Sequence, residues 1–297
     1  MGMHNPITDL PHAVHLKEVI KLLADKYQPL HIICFYKSVT QNQLEGCFLE
    51  EAQQTQVNYY LLIIMQGSTK IEHEVQDFVN GHYKHGMMIT ICHSLKNIVD
   101  GINQNHRFYR TICSKGTSWY NHDGIALNNN YPPYIPTRAA IKAEQQYTDH
   151  ISLAEGFLIG ATKCLSESRF PTCIFLLHQV AEQCLSCLIQ VYLGYRADIH
   201  NLQRLLALTS SFSDRPTAAM LSGSLEDSRL FEILRKSYSD ARYVPGYSIS
   251  EADASTLHTK VEGFFKLTES MCIDHIDLLK IQSSDYQQAK QLEIKVG

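Results

Sequence analysis

The sequence predicts an α+β protein in two parts: a small mixed-sheet α/β domain, then an all-α antiparallel helical bundle. Three observations carry this. Strand and helix patterns alternate through the first 127 residues. Pro132, Pro133 and Pro136 then interrupt any helix or central strand. From Ala139 onward only helical periodicities remain. The expected divisions are 1–130 for the first domain, 131–138 for a Pro-rich linker, 139–285 for the bundle and 286–297 for a tail.

In the first part, residues 12–26 place Val14, Val19, Ile20, Leu22 and Leu23 at helical spacing, and Gln28-Pro29 ends the pattern. Leu30 to Tyr36 reads as a buried strand. The polar stretch from Lys37 to Val57 is expected to be a long loop, its end from Glu50 a solvated helix or loop long enough to be mobile. Tyr59 to Met65 is the strongest strand signal, rich in aromatic and β-branched residues, and Gly67-Ser68 is a turn. A helix over 69–83, a strand over 87–92 and a helical stretch over 94–112 follow. Thr117 to Tyr120 and Ile125 to Leu127 flank an Asn-His-Asp-Gly turn, as a hairpin would.

In the second part, helical patterns cover 139–168, 171–193, 199–210, 225–242 and 251–282. Short connections between such helices make antiparallel neighbours. Pro171 suits a first helical turn, and Gly194 suits a helix end. The 171–193 helix is apolar over so wide an arc that it is either the centre of the bundle or shared with a second copy.

The net charge is −4, and all of it falls after Ala139, since eleven acids balance eleven bases before that point. A general basic field for nucleic acid is therefore excluded, leaving room only for a local patch. Nine cysteines lie without framework spacing, mostly in apolar runs, which fits buried thiols rather than a secreted disulfide scaffold. Met1 to Pro6 shows no signal-peptide pattern, and no run of apolar residues reaches the ~18 needed to cross a bilayer. The expectation is a cytoplasmic protein with no membrane partner.

Three blocks carry a family resemblance: Phe175-Leu-Leu-His-Gln-Val-Ala-Glu-Gln-Cys-Leu185, His200-Asn-Leu-Gln-Arg-Leu-Leu206 and Tyr238-Ser-Asp-Ala-Arg-Tyr243. In this order they resemble the HEPN family. The resemblance implies a dimerising helical bundle that binds nucleotides, or a metal-independent ribonuclease using an Arg followed four to six residues later by His. The element order of the first half resembles the minimal nucleotidyltransferase domains found beside HEPN domains. That family needs Gly-Ser after its first strand and three carboxylates to hold Mg²⁺ against phosphates. Here the first strand runs into Tyr36-Lys37-Ser38, the second is entered by Asn58-Tyr59-Tyr60, and the third is Ile89-Thr-Ile-Cys-His93. All three metal-ligand positions are vacant, which implies a pseudoenzyme module needing no cofactor.

Arg235, Tyr238 and Arg242 share one helix face, and Tyr243 and Tyr247 follow them. Cations beside aromatic rings suit phosphate clamping and base stacking, but Arg242 could equally cap the bundle while the tyrosines pack. Neither Arg235 nor Arg242 has its histidine at the ribonuclease spacing, so no catalytic residue is assigned. His200 joins the binding candidates. His178 and Glu182, four apart, form with it an acid–base set or an internal polar network. Cys184-Leu-Ser-Cys187 lacks a second pair and reads as core rather than zinc site. His73, Asp77, His82 and His85 could be grouped around a metal only by chance.

The sequence thus points to a HEPN-type protein that binds a nucleotide or RNA, forms a homodimer and does no catalysis. A divergent ribonuclease and a protein-binding scaffold derived from a fused toxin–antitoxin pair are the alternatives.

Overall fold

The computed structural model describes residues 11–46, 49–67, 71–122 and 134–296. The chain separates into two compact units, Met1–Tyr134 and Ile135–Gly297. The first is mixed α+β and the second is helical.

Unit one runs α1 (Pro11–Tyr27), β1 (His31–Gly46), β2 (Leu49–Met65), α2 (Glu72–His82), β3 (Met88–Ser94), α3 (Leu95–Asn103), α4 (Arg107–Lys115) and β4 (Thr117–Asn121). The sheet order is β3-β2-β1-β4; β2 and β3 are parallel, and the other neighbours antiparallel. Tyr59 to Met65 form the central segment, buried on both faces as a strand so rich in aromatic and β-branched residues must be. One side packs Val19, Leu23, Val75 and Val79 against Leu61 and Ile63.

One expectation fails here. The stretch 37–57 is not a loop: β1 and β2 continue past the sheet as a two-stranded ribbon, in register from Val39↔Val57 to Gly46↔Leu49. Neither β3 nor β4 pairs with that extension, so it carries none of the apolar alternation that marks a strand packed on a core. The helical stretch 94–112 is broken into α3 and α4 by Asn105, at φ 59, a conformation asparagine tolerates better than most residues. Residues 125–127 and Ser68 lie outside the described residues.

Unit two opens with a short 3₁₀ turn, Pro136–Arg138. It continues with α5 (Ala139–Ser166), α6 (Phe170–Leu193), α7 (Leu202–Thr209), α8 (Arg215–Met220), α9 (Leu225–Tyr243) and α10 (Glu251–Val296). The sequence reading has no counterpart to α8, a six-residue helix begun by Pro216. It also ends the last helix too early, since α10 continues as helix through the expected tail to Val296.

α6 is the axis of the bundle. Its buried residues include Ile174, Leu177, Ala181, Cys184, Leu188 and Val191, and α5, α7, α9 and α10 pack around it. The wide apolar arc is thereby covered within one chain, so it gives no reason for a second copy. By length and hydropathy α6 also passes as a membrane-crossing helix, contrary to expectation, but 67% of that window is buried in the bundle. Gly194 ends it at φ 67, the left-handed conformation expected of a helix-closing glycine.

Candidate functional site

The candidate site lies where α6, α9 and the start of α7 meet. α9 is capped by Ser224, whose side chain accepts from Asp227 N, and its last two turns carry Tyr238, Arg242 and Tyr243. The Arg242 guanidinium carbon sits 4.0 Å from the Tyr238 ring centroid and 4.9 Å from that of Tyr243. Its Nε donates to the Tyr238 carbonyl at 2.7 Å. The residue is exposed, and among the described residues no carboxylate forms an ion pair with it. Cation–π contacts of this kind hold a guanidinium in place while its outer N–H groups remain open.

Tyr238 continues the stack inward. Its ring lies nearly parallel to His178, with centroids 5.3 Å apart, and to Phe175 at 6.4 Å. His178 is buried, and its Nδ1 donates to the Leu234 carbonyl at 3.0 Å. A carbonyl can only accept, so that proton is fixed on Nδ1. His178 Nε2 then faces Glu182 Oε2 at 3.6 Å, and neither atom has another partner. The other oxygen of Glu182 lies 3.0 Å from His200 Nδ1. Burial pushes the Glu182 carboxyl up, but hydrogen bonds from the two histidines outweigh it and hold it below the ordinary value. Arg242, Tyr238, His178, Glu182 and His200 thus form one continuous run of contacts. Phe175, the stacking partner missed in the sequence, was legible only as an aromatic three residues before His178.

The remaining candidates stand apart. Arg235 makes a two-pronged ion pair with Glu232, both contacts at 2.7 Å, so its charge is matched. Tyr247 does not join Arg242; it lines a separate cleft of about 400 Å³ with Arg229, Lys236, Asp240, Ser250 and Asp253. There Arg229 pairs with Glu226 and Asp253, and Lys236 shares Glu232 with Arg235, so each of the two cations lining the cleft has a carboxylate against it. Burial, then Asp240, pushes the Tyr247 hydroxyl up.

Residues 147–271 match the family model of the HEPN domain. The HEPN match reaches from within α5 to Met271 in α10, and so contains every residue of this run of contacts. No curated protein matches the chain. The HEPN domain implies a function connected with nucleotides or RNA.

In unit one, Asn58 lies within β2. Its Nδ2 donates to Ser38 Oγ at 3.2 Å and its Oδ1 accepts from Met87 N at 2.8 Å, so the side chain ties the two strands to the chain entering β3. Tyr59 and Tyr60 beside it are buried. Among the described residues no group of three or more His, Cys, Asp or Glu is placed to hold a metal ion. His82 instead stacks on Phe78 at 4.0 Å. Cys184 and Cys187 are core residues, and Cys187 packs its sulfur 3.6 Å from that of Cys272.

Proposed function

We propose that the helical unit binds a nucleotide or an RNA end on the surface made by Arg242, Tyr238 and Tyr243, without catalysis, and that the sheet unit is a degenerate nucleotidyltransferase-like module. The observation that carries this is an exposed guanidinium held against two aromatic rings with, among the described residues, no carboxylate paired to it. Such a group offers N–H donors to a phosphate, while a half-exposed ring beside it offers a stacking face for a base. HEPN domains commonly bind RNA and dimerise, which favours a homodimer although α6 gives no argument for one. Asn58, Tyr59 and Tyr60, where the family resemblance calls for a carboxylate at the second strand, support a sheet unit that transfers nothing.

A ribonuclease reading has one observation in its favour: His200, held by Glu182, belongs to the same run of contacts as Arg242. A thermal-shift screen of nucleoside mono-, di- and triphosphates and short RNAs tests the binding reading. Stabilisation by at least one of them should vanish in Arg242→Ala; a screen with no stabilising ligand contradicts it. Loss of intact RNA in the same mixtures without added metal would favour the nuclease.

A further inference from the structure

Glu182 is a carboxylate 8% exposed, on the central helix of the bundle, with the buried Ala181, Cys184 and Leu185 close to it in sequence. Placing it there costs several kcal/mol of desolvation, which an apolar residue would avoid. Its two oxygens diverge. One reaches His200, whose side chain is 75% exposed; the other faces His178, which lies beneath Tyr238. An imidazole that exposed would ordinarily sample several rotamers. Here the carboxylate accepts from Nδ1, which fixes the ring and leaves Nε2 without a hydrogen bond among the described residues. His178 is fixed in turn by Leu234 on one nitrogen, so the only atom through which it can adjust is the one facing Glu182.

Resting on the nucleotide-binding reading above, we propose that Glu182 is the positioning residue of an extended site, fixing His200 as a second ligand contact at one end and, through His178, the Tyr238 platform at the other. The ligand class is a nucleoside monophosphate or an RNA end, with its phosphate on Arg242 and a further polar group within reach of His200 Nε2. A neutral amide at position 182 preserves the bond to His200, since its oxygen accepts from Nδ1 as the carboxylate does, and it keeps a polar group against His178. An apolar side chain preserves neither the bond nor the polar contact.

The test is calorimetric titration of AMP into the full chain, with ¹⁵N NMR of the His200 ring to report its tautomer. Glu182→Gln should keep the Nδ1–H tautomer and bind within about twofold of wild type, whereas Glu182→Leu should lose both, with affinity falling about tenfold. His200→Ala, at an exposed position, should show a similar loss, and it decides the matter should Glu182→Leu not fold. A folded Glu182→Leu protein binding like wild type, or an unchanged His200→Ala, overturns the proposal. Equal loss in Gln and Leu variants would mean that charge matters rather than position, and overturns it too. Absence of binding by wild type both to AMP and to a short 5′-phosphorylated RNA overturns the binding reading and this proposal together, whereas binding lost only in Arg242→Ala overturns this proposal alone.

Discussion

Arg242 donates its Nε hydrogen to the carbonyl of Tyr238, one helical turn earlier, while its guanidinium lies 4.0 Å from the centroid of the same residue's ring. The hydrogen bond and the stack act on one side chain, so arginine and tyrosine hold each other at the end of α9. Tyr238 has His178 on its other side, which makes it the middle layer of the stack.

Replacing that middle layer should separate stacking from charge. Tyr238→Leu should weaken AMP binding about tenfold, given ~1–3 kcal/mol per stacked base, and Tyr238→Phe should retain most of it. Calorimetric titration of each variant checks this; equal losses would mean that the hydroxyl, not the ring, is what the ligand meets.

Glu182 sets a pH dependence whose sign follows from its environment. Its folded-state value is lowered from 4.5 by hydrogen bonds from His178 and His200, against the opposing effect of burial. The stability it contributes is therefore fully present above its unfolded value and lost as pH falls through the folded one. Thermal melts of wild type and Glu182→Gln between about pH 6 and pH 3 should show a wild-type advantage that disappears in acid. An advantage that grows in acid would contradict the ion-pair geometry.

Gly86 should be intolerant of any side chain. It sits at φ 149, and an added Cβ would lie 2.2 Å from the Val57 carbonyl oxygen, in the turn where Val57 N donates to the His85 carbonyl. Gly86→Ala should lower stability by about 2 kcal/mol, measured as a lower urea midpoint with an unchanged slope. Wild-type stability would mean the turn relaxes freely.

The elements with a core face were legible in the sequence, because burial imposes a period. Tyr59 to Met65, the Val75–Val79 helix and all of α6 show this. The ribbon of β1 and β2 was not, because paired strands extending beyond the sheet need no apolar alternation. α10 was cut short for a related reason: past Leu279 its residues are mostly exposed, so helix continues without an apolar stripe to announce it. At the site, spacing alone joined Tyr238 to Arg242 and His178 to Glu182, since both pairs lie four apart on one helix. The link between the pairs runs across helices, through the His178–Tyr238 stack, and no local pattern records it. The separation of Tyr247 is likewise a tertiary fact, whereas the pairing of Arg235 with Glu232, three apart on α9, follows the same local helical spacing.

The homodimer proposed on the family's habit has a direct check. Light scattering at micromolar concentration should report about twice the chain mass of 33.8 kDa. A mass of one chain would leave α6 as core only and would remove pairing from the account.

The central claim is that Arg242 is an open phosphate clamp. It is tested most directly by calorimetric titration of AMP into wild type, Arg242→Ala and Arg242→Lys. Loss of charge-assisted hydrogen bonds, worth about 1.5–3 kcal/mol, predicts an affinity ten- to a hundredfold weaker for alanine. Lysine should recover only part of it, because an ammonium neither stacks between Tyr238 and Tyr243 nor presents two parallel N–H groups. Binding by Arg242→Ala equal to that of wild type would contradict the account.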